Sequence, residues 1–150
     1  MSSPRLPGTG LPLHSVSVAG AAVRPDGRIL AIRRRDNGAW QPPDGVLELG
    51  ESPQDGVRRE VAEETGLIVE PEVLTGVYTN MTAGVIALVF RCHVVGGYSC
   101  SSDEAAEVAW LTCHEVRTLM SEAFAIRLLD ALSFQGAPAV RVHDGVRLLV

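Results

Sequence analysis

Cysteine is scarce in this chain: Cys92, Cys100 and Cys113 are odd in number and widely spaced, with no C-x-x-C among 150 residues. That excludes a disulfide framework and a thiolate zinc site, and a reduced, cytoplasmic setting is the expectation. Long hydrophobic runs are lacking too. The longest apolar stretch, Val85–Phe90, falls far short of the ~20 residues that cross a bilayer. The first residues, MSSPRLPGTGLPLH, hold prolines and glycines where a secretory signal needs an apolar segment. Residues 1–14 are therefore expected to be a loose arm ahead of one domain over 15–150. There is no excess of positive charge. The formal net charge is −5, so neither a nucleic acid nor a membrane is the expected partner. Internal repeats and further low-complexity segments are absent. With 46 % hydrophobic residues, the chain can bury a core of ordinary size without staples.

Acidic residues are concentrated in one place. The run GVLELGESPQDGVRREVAEETGL, Gly45 to Leu67, sets Glu60, Glu63 and Glu64 within a single short segment. Ser52, Pro53 and Asp55 give a helix-start signature and Gly66 a stop, so the spacing predicts a helix over Pro53–Thr65. On it the three carboxylates fall within an arc of about 100°. Like charges so arranged repel. A cation over that face relieves the repulsion, and oxygen-only ligation suits Mg²⁺ or Mn²⁺ rather than zinc.

This run resembles the box of the Nudix hydrolases, G-x5-E-x7-R-E-U-x-E-E-x-G-U with U a bulky aliphatic residue. Gly45, Glu51, Arg59, Glu60, Val61, Glu63, Glu64, Gly66 and Leu67 fill every specified position. The resemblance implies an α/β (α+β) fold, a mixed, curved sheet sandwiched between helices. It also implies Mg²⁺-dependent hydrolysis of the diphosphate in a nucleoside diphosphate linked to another group X. Carried over, it makes Glu60 and Glu64 metal ligands. Glu63 joins them or holds metal-bound water, and a main-chain carbonyl comes from Asp44 or Gly45. Arg59 would orient a box glutamate, and Glu51 would brace the loop. The general base varies in the family. Asp103, Glu104 and Glu107 are candidates outside the box, with Glu104 favoured. One departure stands just ahead of the box, where Pro43-Asp44-Gly45 replaces the usual Pro-Gly-Gly. Gly56 also sits where alanine is common. A nucleotide-binding sensor and a metal-stabilised interaction module are the alternatives from other functional classes. Sensors of this fold typically lose box glutamates, and this chain keeps them.

Elsewhere, Val16–Val23 and Arg28–Arg35 read as a hairpin around Arg24-Pro25-Asp26-Gly27. Trp40 opens a loop that runs to Gly45, and Val46–Leu49 is a short strand candidate. Ile68–Val69, Val73–Tyr78, Val85–Val95 and Val108–Leu111 read as strands, Val85–Val95 being central. Thr112 with Glu115 caps a second helix, and Ala123–Phe134 carries a third. Val140–Val150 alternates around Asp144-Gly145, a type I′ hairpin signal. Its exposed edge makes a homodimer plausible. Trp40 is read as packing beneath the box loop, Tyr78 and Phe124 as core or pocket wall, and His93 and His143 as structural. Arg33-Arg34-Arg35 is read as a solvated strand end before a phosphate site.

Overall fold

Ser15–Ala22 (β1) alternates between two apolar faces, so it has to lie between two packed layers. In the computed structural model, which describes residues 5–149, it does so. Ile29–Arg34 (β2), Trp40–Gln41 (β3), Asp44–Val46 (β4), Pro53–Thr65 (α1), Leu67–Asn80 (β5) and Val85–Gly97 (β6) follow along the chain. Then come Ala105–Leu111 (β7), Cys113–Leu119 (α2), Glu122–Leu132 (α3), Ala139–His143 (β8) and Leu148–Leu149 (β9). Six strands form a mixed sheet in the order β4-β1-β6-β5-β8-β9, and a smaller one runs β3-β2-β7. β1 is parallel to β6 and β5 to β8; the other pairings are antiparallel.

Each sheet face has its own core. Val57 and Val61 of α1 meet Val18, Ala22, Val69 and Phe90 on one side. Ala125, Leu128 and Ala131 of α3 meet Ala19, Ala21, Tyr78 and Val89 on the other. This is the expected sandwich, with β6 inside the larger sheet.

Several local expectations change. The Arg24–Gly27 turn forms, with the Gly27 N–H donating to the Arg24 carbonyl at 2.9 Å. β1 and β2 nevertheless share only one bridge, Val23 to Ile29, and then enter different sheets. The reason is burial on two faces: Leu30 packs toward α1, Ile29 and Ala31 toward α3. Trp40 starts a short strand rather than a loop, and the strand expected at Val46–Leu49 lies two residues earlier. β5 is continuous through Pro71, absorbed by a register shift between Pro71 and Val73. β7 begins at Ala105, and α3 stops before Phe134.

The C-terminal hairpin is not type I′. Val142 pairs Leu149 and His143 pairs Leu148, leaving a four-residue loop. Asp144 Oδ1 accepts from the Val146 and Arg147 N–H groups at 2.9 and 2.8 Å, and only Gly145 has positive φ there. The expected hairpin end at Val150, like residues 1–4 of the expected arm, lies outside the described residues. Arg5–His14 is exposed and folds back on itself, Leu6 N–H donating to the Leu11 carbonyl at 2.7 Å. No helix among the described residues is long and apolar enough to cross a membrane.

Helix α1 has the bounds its punctuation predicts. Ser52 Oγ accepts from the Asp55 N–H at 3.1 Å, Pro53 takes the first turn, and Gly66 ends it at φ 78°. Gly56 marks a close approach, since a Cβ there would lie 2.8 Å from Leu47 and 3.0 Å from Val18. At Gly66 a Cβ would fall 2.4 Å from the Tyr98 carbonyl oxygen. Gly66→Ala is thus expected to cost at least about 2 kcal/mol, from left-handed backbone plus this clash. That lowers Tm by roughly 4–8 °C in a domain of this size, read by thermal unfolding. An unchanged Tm would contradict the cap geometry.

Candidate active site

Helix α1 packs against β1 near the edge strand β4, and this placement assembles the site. In the β1–β4 register Gly45 lies opposite Val18 and Asp44 opposite Ala19. Gly45 therefore faces α1 and Asp44 the α3 side. A Cβ on Gly45 would sit 2.2 Å from the Glu60 carboxylate. Glycine is needed here for space, and its φ is not positive. Asp44 also has no positive φ, so the loop makes no demand for glycine at that position.

The three glutamates that α1 groups, Glu60, Glu63 and Glu64, do not all converge. Glu60 and Glu64, one turn apart, are buried, and Glu104 from the loop before β7 joins them. One carboxylate oxygen from each lies within 4.8 Å of the others. Glu63 lies outside this group. It occupies the flank of the helix that turns toward solvent, and its nearest cation is Arg59 Nη1 at 3.5 Å. A cavity of about 470 Å³ opens over the trio, lined also by Arg34, Asp36, Gln41, Asp44 and Asp103. Glu107, another acid considered, is held outside it by Arg33 at 2.9 Å.

Arg59 links the helix to the loop. Its Nε and Nη2 donate to the two Glu51 oxygens at 2.7 and 2.9 Å, Nη1 to Glu60 Oε1 at 2.7 Å, and Nη2 to the Val46 carbonyl at 3.2 Å. The fork holds the Glu51 carboxyl down to about 2. Burial pushes Glu60 up, opposed by the hydrogen bond and charge of Arg59. Burial pushes Glu64 further up, reinforced by the neighbouring Asp44, Glu60 and Glu104 carboxylates. Asp44 is raised to about 6, chiefly by burial, with Arg127 and Arg34 opposing.

Residues 13–132 match the model of the NUDIX domain. This chain belongs to the Nudix hydrolase family. It is 59 % identical to a MutT-like protein of Streptomyces ambofaciens, over 99 % of this chain and 96 % of that one. It is 34 % identical to an ADP-ribose pyrophosphatase of Methanocaldococcus jannaschii, over 71 % of this chain and 68 % of that one. An ADP-ribose pyrophosphatase from Streptococcus suis superposes with TM-score 0.73 at 22 % identity, over 87 % of this chain and 100 % of that chain, which speaks to the fold.

Nudix enzymes generally use divalent metal ions, and the residues here fit one. The converging donors are all carboxylate oxygens, the set hard cations prefer. Glu64 Oε2 is buried without a hydrogen-bond partner, an arrangement that is costly unless something positive faces it.

Trp40 packs, partly buried, against the core beneath α3. Tyr78 is fully buried and donates to Asp130 Oδ2 at 2.7 Å, while Phe124 stacks on Arg127. His143 is buried, whereas His93 is an exposed partner of Glu72 at 2.7 Å. Of the arginine run, only Arg34 lines the cavity, held by Asp36; Arg35 donates to the Ser102 carbonyl at 2.9 Å. Gln41 went unremarked in the sequence. It is buried, and Nε2 donates to Asp44 Oδ1 at 2.7 Å.

Proposed function

We propose that this Nudix hydrolase cleaves the diphosphate linkage of a nucleoside diphosphate joined to a group X, with Mg²⁺ or Mn²⁺ as cofactor. The observation that carries the reading is the convergence of Glu60, Glu64 and Glu104 in one cavity. Glu60 and Glu64, with a main-chain carbonyl of Asp44 or Gly45, would hold the cation. The chemistry a cation there would supply is charge neutralisation at phosphate oxygens, which lowers the barrier to attack at phosphorus. Glu63, exposed on the solvent-facing flank of α1 and outside the cavity lining, would reach the cation only through water. Arg59 orients Glu60, and Glu51 fixes Arg59. Glu104 is the exposed member of the trio, on a loop, and is assigned to take the proton of the attacking water.

Two experiments test this. Nucleotide or phosphate release is measured across nucleoside triphosphates, oxidised analogues, ADP-ribose, nucleotide sugars and dinucleoside polyphosphates, with and without Mg²⁺. Metal-dependent turnover is expected; tight binding with no turnover anywhere would favour the sensor instead. Glu104→Gln is expected to lower kcat by ~10²-fold, the scale of a lost general base. Unchanged kcat would return that role to the box.

A further inference from the structure

The cavity offers its ligand an unusual imbalance. Six carboxylates line it against one guanidinium, Arg34, already engaged by Asp36, and no aromatic ring is among the lining residues. A part of the substrate resting here has no ring to stack on, and a further phosphate would meet acids on most sides.

Asp44 is the departure from the family pattern just ahead of the box; its carboxylate neighbours Glu64 without being one of the three that converge. Its side chain lies on the α3 side of the edge strand, across β4 from Glu60, and still lines the same cavity. It forms no ion pair with any described residue. Its one side-chain hydrogen bond comes from Gln41 Nε2, through Oδ1. Oδ2 of Asp44 and Oε1 of Gln41 have no hydrogen-bond partner among the described residues and are not fully buried, and both residues line the cavity. The wall beside the trio therefore carries two unpaired acceptor atoms on a hydrogen-bonded pair of side chains. Acceptors of this kind call for donors, and a carboxylate matched to sugar hydroxyls is a recurrent solution in nucleotide sites.

We infer that Asp44, positioned by Gln41, is a specificity-determining residue that binds hydroxyl groups of X, making the preferred substrates nucleoside diphosphates joined to a neutral sugar. This rests on the hydrolase reading above and narrows it. A nucleoside triphosphate, whose X is phosphate, brings negative charge and no such donors to this wall. Sites built to bond a hydroxyl discriminate strongly against substrates that lack it, because their buried acceptors are then left unpaired.

The test is a set of specificity ratios. kcat/KM is measured for ADP-ribose, UDP-glucose, ATP and dGTP with the wild-type protein, Asp44→Gly and Asp44→Asn. Glycine is the residue the family pattern has here, so the backbone tolerates it. The wild-type protein is expected to favour the sugar substrates by at least ~10²-fold, and Asp44→Gly to shrink that ratio by at least ~10-fold, mainly through KM. An ADP-ribose analogue lacking one terminal-ribose hydroxyl should lose a similar factor with the wild-type protein and little more with Asp44→Gly. A substitution acting through the metal scales all substrates together and leaves the ratio fixed. A fixed ratio, a wild-type preference for triphosphates, or full turnover of the deoxy analogue overturns the inference. Glu64→Gln run alongside separates the failures. If it abolishes turnover while the Asp44 ratios hold, only this inference falls. If the wild-type protein shows no metal-dependent turnover of any substrate, the hydrolase reading falls with it.

Discussion

Glu64→Gln is expected to cut kcat by about 10³-fold while making the metal-free protein more resistant to unfolding. The first effect follows from position. Glu64 is 3 % exposed, one of its oxygens has no protein partner, and the other acids of the cavity surround it. In the proposed role, losing one anionic ligand would forfeit several kcal/mol of charge stabilisation in the transition state, and about 4 kcal/mol corresponds to three decades. The second effect follows from linkage. Burial and neighbouring carboxylates raise the folded-state pKa of Glu64 above its ordinary 4.5. Above pH 4.5 the unfolded chain releases this proton while the metal-free fold keeps it, so stability falls as pH rises through the window up to the raised value. A neutral amide removes that loss. Without metal, the variant's Tm should exceed the wild-type value, the gap widening from pH 5 to pH 8. With Mg²⁺ the order should reverse, because only the wild-type protein gains the full linkage to a bound ion. Thermal unfolding with and without EDTA reads both arms. Wild-type kcat in the variant, or an equal rise in Tm with Mg²⁺ for both proteins, would remove Glu64 from the metal; a lower metal-free Tm would instead contradict the buried, proton-holding carboxyl.

How much of this was legible in the sequence depends on the range of the interaction. Helix α1 was legible to the residue because its signals are local: Ser52 reaches Asp55, Pro53 fits the first turn, and Gly66 adopts the left-handed cap. The fold followed from the box resemblance. The β1–β2 pairing was misread because a turn signal fixes the turn and not which sheet each strand joins; that is decided by the two cores β2 must fill. The type I′ expectation failed for a related reason. Asp144 Oδ1 captures two N–H groups ahead, which widens the loop to four residues. At the site, helical geometry grouped Glu60, Glu63 and Glu64, yet an arc of about 100° is wide enough for one flank to reach solvent. Packing against β1 selects Glu60 and Glu64. Glu104 is one of three acids that the sequence offers outside the box, but its approach to Glu64 crosses 40 residues of chain and depends on where β7 docks. Gln41 carried no signal at all, since its role exists only once β4 brings Asp44 beside it.

Arg59→Ala should produce the largest loss among residues that touch no substrate, about 10²-fold in kcat. Arg59 spans eight residues to Glu51 and one to Glu60, and also caps the Val46 carbonyl. It ties the loop that carries Gly45 to the helix that carries the acids. Its side chain is 23 % exposed and that of Glu51 14 %, so solvent screens part of the charge attraction and the stability cost stays near 1 kcal/mol. Tm should fall by about 2–4 °C, a small effect beside the kinetic one. The reason for the disparity is geometric: a released Glu60 can rotate, and displacement by an ångström would misplace the carboxylate proposed to hold the cation without unfolding anything. Arg59→Lys discriminates between charge and shape. Lysine keeps the charge, but one ammonium cannot make the planar two-oxygen fork to Glu51 and reach Glu60 as well. It should therefore sit near alanine in kcat and near wild type in Tm. Glu51→Gln breaks the same clamp from the other end, so combining it with Arg59→Ala should cost far less than the product of the two losses. Losses that multiply would mean that Glu51 and Arg59 act separately, and the clamp would not be the means by which this helix aims its carboxylates.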